Sequence, residues 1–395
     1  MRQVVSDGFR GTVVMNRQSV DASPRLGGVV WLGVADGPRR SRSMRPIVYI
    51  AGGRPEGTSA ESEPSEERGR AGDEAQRFID AWQQPPRAEC ASRRFVRATV
   101  PTTGAGAQIT ALTTAFAEAI AAGEVLLLAG SWKYAEGSCA SGSLECFFLP
   151  LSACADGLAD GDAAVRPRAW RDFKSDVYSD HAELVPEQFA RWGWTWWRAQ
   201  LLRYLLRPNA RTAAHLDAAR ARLGLRPRRP GGDAGADAGG PIVGIHLRRG
   251  ERLKRSHERH DALDLMAANS LDHALQAALP TLRRVRATRV FLAADSDEFA
   301  PSTRTHTKAG IEVLRSDRRV PLDGRDCARE DSVGCESTAP SRSNRTQTTL
   351  DMITDFVLLS ECDALVGSFG STFSRLPMLL MFAHERNRTR FTSLE

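Results

Sequence analysis

A chain of 395 residues, 42% apolar and 26% charged, has the makeup of a globular protein and the length for two domains of ordinary size. Its 54 basic and 48 acidic residues leave +6, a mild surplus that suits DNA, RNA, acidic lipid or a sugar nucleotide and so decides little among anionic partners. Seven cysteines with no C-x-x-C exclude a disulfide scaffold and the common zinc-ligand spacings.

In chain order, no stretch reaches the ~18–20 apolar residues of a membrane span, and the start lacks the apolar core of a secretory signal. Taken literally this encodes a soluble cytosolic protein, with a missing N-terminal exon as the competing explanation. Residues 1–80 read as a low-complexity, disordered leader: Gly52 to Ala75 is Gly-, Pro-, Ser- and Glu-rich with almost nothing to bury. Val29 to Val34 could form one strand but has no evident partner. Cys139 with Cys146, and Cys327 with Cys335, each close a small polar loop, which suits either an oxidised hairpin or two reduced surface thiols.

The first folded region spans 81–230. A helix is expected from Gln108 to Ile120, then a buried parallel strand at Val125 to Ala129. A helical stretch from Glu187 to Leu206 carries Trp192, Trp194, Trp196 and Trp197, which suit a core more readily than a sugar-stacking platform. Gly231 to Gly240 is a Gly/Ala/Asp linker. Beyond it, 241–395 alternates strands (Ile242–Leu247, Arg289–Ala294, Ile311–Leu314, Ala364–Gly367) with helices. These are Asp261 to Ala278, ended by Pro280, then Thr348 to Cys362 and a closing helix from Ser371 to Phe382. That alternation implies parallel β-α-β units and a Rossmann-like sheet.

Ligands in such sheets lie beyond the carboxyl ends of the strands, which directs attention to three junctions. In His246-Leu-Arg-Arg-Gly-Glu-Arg252 a strand runs into an arginine pair suited to phosphate oxygens. Asp295, after the second strand, can cap a helix or bind an arginine or a ribose hydroxyl. Gly367-Ser-Phe-Gly-Ser371 closes a turn of small residues before a helix and can offer backbone N–H groups to an anion. Gly104-Ala-Gly106, before the first-region helix, offers the same chemistry. No Ser-His-Asp constellation, H-E-x-x-H, EF-hand loop, D-x-D pair or nucleic-acid module is present.

The ordered series Ile245-His-Leu-Arg-Arg249, Phe291-Leu-Ala-Ala-Asp295 and Asp355 to Ser371 resembles the α1,6-fucosyltransferases, the N-glycan core enzymes to which the rhizobial chitin-oligosaccharide fucosyltransferases are related. Upstream, Leu126 to Ala135, Phe147 to Cys154 and Trp196 to Pro208 are similar to the animal-type core enzyme, so the resemblance runs from about residue 84 to the end.

The resemblance implies a two-domain GT-B-like α/β glycosyltransferase with a C-terminal Rossmann-like donor-binding domain. It implies fucose transfer from GDP-fucose to a GlcNAc-containing glycan in α-1,6 linkage, by an inverting displacement with no cofactor or metal. Partners would be the donor and an oligosaccharide or glycoprotein acceptor, not nucleic acid. Localisation would be the Golgi, and a homodimer is left open. By position, Arg248 would hold the β-phosphate with Arg249 supporting it, and Glu251-Arg252 would keep the family's charge pair. His246 and Asp355 would face guanine, Gly370 and Ser371 the pyrophosphate, and Tyr134 the nucleotide region, while Asp295, Gly104 and Gly106 also fall among the donor-binding candidates. A Cys90–Cys154 bridge is implied as well.

The sequence departs from the family where a catalytic glutamate is expected. Ser256 stands there, with Glu258 two residues on as the candidate base. Family cysteines are absent at Gly367 and Ser374, and the leader coiled coil and C-terminal SH3-like domain of the animal enzyme have no counterpart. Two sequons, Asn344-Arg-Thr346 and Asn387-Arg-Thr389, are compatible with a luminal protein. A non-catalytic GDP-sugar or glycan-binding protein of the same fold is the alternative.

Overall fold

The computed structural model describes residues 4–5, 13–14, 33–34, 48–50, 65–99, 104–135, 137–155, 165–167, 181–225, 240–247, 270–294, 304–307, 310–316, 342–368, 371–384 and 390–394. Near the start, Gly33–Val34 pairs antiparallel with Val13–Val14, which in turn pairs with Val4–Val5. The apolar run ending at Val34 therefore has a partner that its own sequence does not announce.

Two further elements begin inside the stretch read as a disordered leader. Strand β1 (Val48–Ile50) pairs antiparallel with the last strand of the chain. Helix α1 (Ser65–Gln83) begins in the polar segment. Its sequence is rich in Glu, Arg and Ala, all good helix formers, and Ala71, Ala75 and Ile79 recur at intervals of four to make one buried stripe.

Two parallel sheets follow. The smaller contains β2 (Arg94–Thr99), β3 (Glu124–Ala129) and β4 (Val165–Pro167) in the order β3-β2-β4, with α2 (Ala105–Ala121) crossing from β2 to β3. Strand β3 is an edge, and α1 covers it. The buried Gln83 amide accepts from the Leu126 N–H at 2.9 Å and donates to the Leu126 carbonyl at 3.1 Å, replacing the ladder bonds a neighbour would supply. The expected helix and strand in this region are both present, each starting slightly earlier than the periodicity suggests.

After α3 (Gly193–Leu205) and α4 (Ala210–Leu223) comes β5 (Ile242–Leu247), at its expected limits. Then follow α5 (Leu271–Val285), β6 (Arg289–Ala294), β7 (Arg304–His306), β8 (Glu312–Leu314), α6 (Arg342–Ser360), β9 (Ala364–Gly367), α7 (Thr372–His384) and β10 (Arg390–Ser393). The larger sheet has the order β7-β8-β6-β5-β9-β10-β1, parallel from β8 to β10. Helix α5 does not stop before Pro280. It starts at an N-cap, Ser270, and runs through the proline to Val285, because Ala274, Leu275, Ala278 and Leu282 form one stripe buried against the sheet. That packing outweighs the lost backbone bond.

Strands β5, β6 and β9 are buried on both faces. Val243, Ile245 and Leu247 join the core under α5, and Ile242 joins the core under α6 and α7. A third core is continuous across both sheets' helices. It takes Ile109, Leu112 and Phe116 from α2, Trp197 and Leu201 from α3, Ile353 and Phe356 from α6, and Leu376 and Leu380 from α7. The four tryptophans are part of it. Trp192, Trp194, Trp196 and Trp197 are all buried, with Trp192 stacked on Trp196 at 5.5 Å and Phe189 on Trp197 at 5.4 Å.

Candidate functional site

Both sheets reverse direction at one strand. In the larger sheet β6 lies on one side of β5 and β9 on the other; in the smaller, β3 and β4 flank β2. Crevices at the carboxyl ends of such switch strands are where open α/β sheets bind ligands. Helix α2 begins shortly after β2 and α7 shortly after β9, so each starts at its own sheet's switch point.

The two helix N-termini meet. A β-carbon on Gly106, in the first turn of α2, would lie 2.8 Å from the backbone nitrogen of Phe373 and 3.0 Å from the carbonyl carbon of Thr372, in the first turn of α7. Each N-terminus carries roughly half a positive charge in unsatisfied N–H groups. Neither helix has an acidic residue in its first turn. Two positive poles in contact without a carboxylate favour an anion beside them.

Ser371 sits at this junction. It is 2% exposed, its N–H donates to the Ser368 carbonyl at 3.1 Å, and among the described residues its Oγ has no hydrogen-bond partner. A buried hydroxyl left unpaired costs free energy, so the orphan is itself a pointer to a ligand.

The alpha-(1,6)-fucosyltransferase N- and catalytic domains family matches residues 182–316, from the start of the aromatic cluster to the end of β8 and across the arginine pair. Over those residues the chain is similar to the alpha-1,6-fucosyltransferases. Among solved structures, the fucosyltransferase NodZ from Bradyrhizobium is 15% identical over 73% of this chain and 93% of its own, with a TM-score of 0.43. NodZ alpha-1,6-fucosyltransferase soaked with GDP-fucose is 15% identical over 75% and 98%, at 0.42. An Arabidopsis thaliana FUT1 mutant in complex with GDP is 12% identical over 80% and 76%, at 0.37. No curated protein matches the chain.

Several of the expected site residues come together. His246, near the end of β5 and 5% exposed, has its Nδ1 2.6 Å from Ser374 Oγ on α7 and its ring 4.9 Å from that of Phe373. Asp355, on α6 and 2% exposed, accepts from Ser316 Oγ at 2.5 Å. Tyr134, also buried, ties α2 to α6: its hydroxyl accepts from the Ala105 N–H at 2.9 Å, and its carbonyl accepts from Thr349 Oγ1 of α6 at 2.6 Å. Trp132, two residues earlier, donates from Nε1 to Gln108 Oε1 at 2.7 Å.

Gly106 is in the site for another reason than the one its sequence suggests. Its missing side chain lets α2 and α7 touch, whereas a β-carbon on Gly104, the N-cap of α2, would meet nothing within 4 Å. Cys90 is bonded to Cys154, and Cys139 to Cys146; Cys362 is a buried thiol. Arg248, Arg249, Glu251, Glu258, Asp295 and Gly370, with Cys327 and Cys335, lie outside the described residues. Leu247 and Ala294, which immediately precede Arg248 and Asp295, are register partners on adjacent parallel strands. Among the described residues no three His, Cys, Asp or Glu side chains group as metal ligands, and no helix is long and apolar enough to cross a membrane.

Ser316, Phe373 and Thr349 were not singled out by the sequence, and Ser374 was noted only as the position of an absent family cysteine. Ser316 follows the end of β8 by two residues, so the rule that found Asp295 would also reach it. The other three lie on helix faces that only the packing defines.

Proposed function

We propose that this protein is a fucosyltransferase that transfers fucose from GDP-fucose to a GlcNAc-containing glycan, in α-1,6 linkage of the N-glycan core type, by an inverting displacement that needs no metal. The observation that carries this reading is the meeting of two helix N-termini, free of acidic residues, at the buried and unpartnered Ser371 hydroxyl. A diphosphate supplies the negative charge those poles favour and an acceptor for the Ser371 O–H.

In this reading the pyrophosphate lies at Gly370 and Ser371, Arg248 holds the β-phosphate with Arg249 in support, and His246 and Asp355 face guanine beside Tyr134. As the glycosidic bond breaks, negative charge grows on the departing GDP. Arginine and preorganised N–H donors stabilise it without a cation. Glu258 removes the proton from the attacking sugar hydroxyl as the new bond forms. The fold reading is GT-B-like, with an N-terminal α/β domain over 81–230, a linker at 231–240 and the Rossmann-like donor domain over 241–395. The proposed location is the Golgi lumen.

The test is incubation with labelled GDP-fucose and a panel of GlcNAc-terminated oligosaccharides, with and without EDTA. Transfer that survives EDTA supports the reading, and transfer abolished by EDTA removes metal independence. Glu258→Gln is expected to abolish transfer while GDP binding persists, so unaltered turnover would reject Glu258 as the base. The serine at position 256, where the family pattern has glutamate, motivates the alternative of a non-catalytic GDP-sugar or glycan-binding protein. Donor binding with neither transfer nor hydrolysis would favour that alternative.

A further inference from the structure

We propose that Ser374 is a positioning residue that fixes the tautomer of His246, so that the imidazole presents an Nε2–H donor to the acceptor edge of the guanine base. This rests on the donor-binding reading above and adds to it the atom that His246 uses.

Ser374 is fully buried, in the first turn of α7. Among the described residues the sole hydrogen-bond partner of its hydroxyl is His246 Nδ1, at 2.6 Å. A serine hydroxyl carries one hydrogen, and leaving it unpaired in a dry interior costs more than pairing it returns. The Ser374 O–H must therefore donate to Nδ1, which makes Nδ1 the acceptor and puts the ring proton of a neutral imidazole on Nε2. Were Nδ1 protonated instead, two donors would face each other or the serine hydrogen would have no acceptor.

The ring has little freedom to escape this bond. Phe373 lies against it with centroids 4.9 Å apart and planes tilted by 32°, and Phe373 is itself braced edge-on by Phe356 at 6.1 Å. Gly367 leaves room for the pair, because a β-carbon there would lie 3.1 Å from Ser374 Oγ and 3.7 Å from the His246 β-carbon. An N–H donor at Nε2 matches N7 and O6, the acceptors on one edge of guanine.

The test compares Ser374→Ala and Ser374→Thr with wild type by ¹⁵N spectroscopy of histidine-labelled protein and by calorimetric titration with GDP. His246→Gln assigns the resonance, and thermal unfolding reports folding. Wild type is expected to show His246 as the Nε2–H tautomer. Ser374→Ala should mix the tautomers and weaken GDP about tenfold, the order of one lost hydrogen bond. Ser374→Thr, which keeps the hydroxyl, should restore both. A wild-type Nδ1–H tautomer, or a Ser374→Ala protein with unchanged tautomer and affinity, overturns the proposal. A wild type that shows the Nε2–H tautomer yet does not bind GDP overturns the donor reading and leaves only the Ser374–His246 couple.

Discussion

Gly106 and Phe373, 267 positions apart in the chain, approach so closely that a single added carbon on the glycine would sit 2.8 Å from the phenylalanine backbone nitrogen. This contact joins the first turns of α2 and α7, and with them the switch points of the two sheets. The nearest opposing atom, with the Thr372 carbonyl carbon beside it, is backbone, which cannot swing aside as a side-chain tip can. The geometry of the proposed anion site therefore depends on a residue that makes no polar contact with a ligand in this reading.

Gly106→Ala is accordingly expected to force the two helices apart and lower stability by about 1–3 kcal/mol, the usual cost of overpacking a tight contact. GDP affinity should fall with it. Gly104→Ala, two residues earlier with open space at its β-carbon, should change stability by no more than about 0.5 kcal/mol. Thermal unfolding and calorimetric titration of the two variants check this. Equal effects would mean that close packing is not what Gly106 provides.

That pair also shows where the sequence speaks and where it does not. Strands β5, β6 and β9 were legible because each is a mainly apolar run bounded by turn residues, as strands buried on both faces tend to be. The ligand-facing junctions followed from the strand ends alone. Glycines before a helix, however, look the same whether they admit a phosphate or another helix, and only tertiary packing assigns Gly106 to the second role. Strand β1 escaped notice because its partner β10 lies at the far end of the chain. Helix α1 was obscured by its polar composition, since its stripe of Ala71, Ala75 and Ile79 is too thin for periodicity to outweigh the charges around it. Pro280 misled in the opposite direction: a local breaker sits within a helix that the sheet holds in place.

Tyr134→Phe removes one oxygen and leaves the ring. The lost hydroxyl is the acceptor for the Ala105 N–H, one of the four N–H groups that α2 cannot satisfy within itself. Burial keeps water from replacing it, so the variant should be destabilised by about 1–3 kcal/mol. The Thr349 bond to the Tyr134 carbonyl is untouched by the change. Denaturant titration measures the loss; no loss would show that the Ala105 N–H finds another acceptor.

The two disulfides should contribute unequally. Cys90–Cys154 closes a loop across a sequence separation of 64, and Cys139–Cys146 one across 7. On loop-closure entropy alone the first restricts the unfolded chain by about 4 kcal/mol and the second by about 2 kcal/mol. Paired replacement of Cys90 and Cys154 by alanine should therefore lower the unfolding midpoint more than the same change at Cys139 and Cys146. The smaller bridge has a local consequence that the larger lacks. Ser138 immediately precedes Cys139, four residues after Tyr134, and its Oγ accepts from Thr346 Oγ1 of α6 at 2.7 Å. Loss of the short bridge should thus lower GDP affinity more than its effect on stability suggests.

Ser371→Ala separates binding from folding most cleanly. Among the described residues the Ser371 Oγ is buried without a partner, so its removal deletes a polar atom that gives the fold no hydrogen bond there. Stability should be unchanged or slightly higher, because an orphaned hydroxyl in a dry site is a net cost. With GDP bound, the same hydroxyl would donate to a charged phosphate oxygen, a class of hydrogen bond worth about 1.5–3 kcal/mol. The variant should therefore bind GDP roughly ten- to a hundredfold more weakly while unfolding at the wild-type temperature or above. Replacement by threonine is a poor control, since a methyl group would have to enter a packed helix start, so the alanine variant is read against wild type alone. A lower unfolding temperature together with unchanged GDP affinity would place the Ser371 hydroxyl in the framework of α7, and the anion would have to be sought elsewhere along the strand ends.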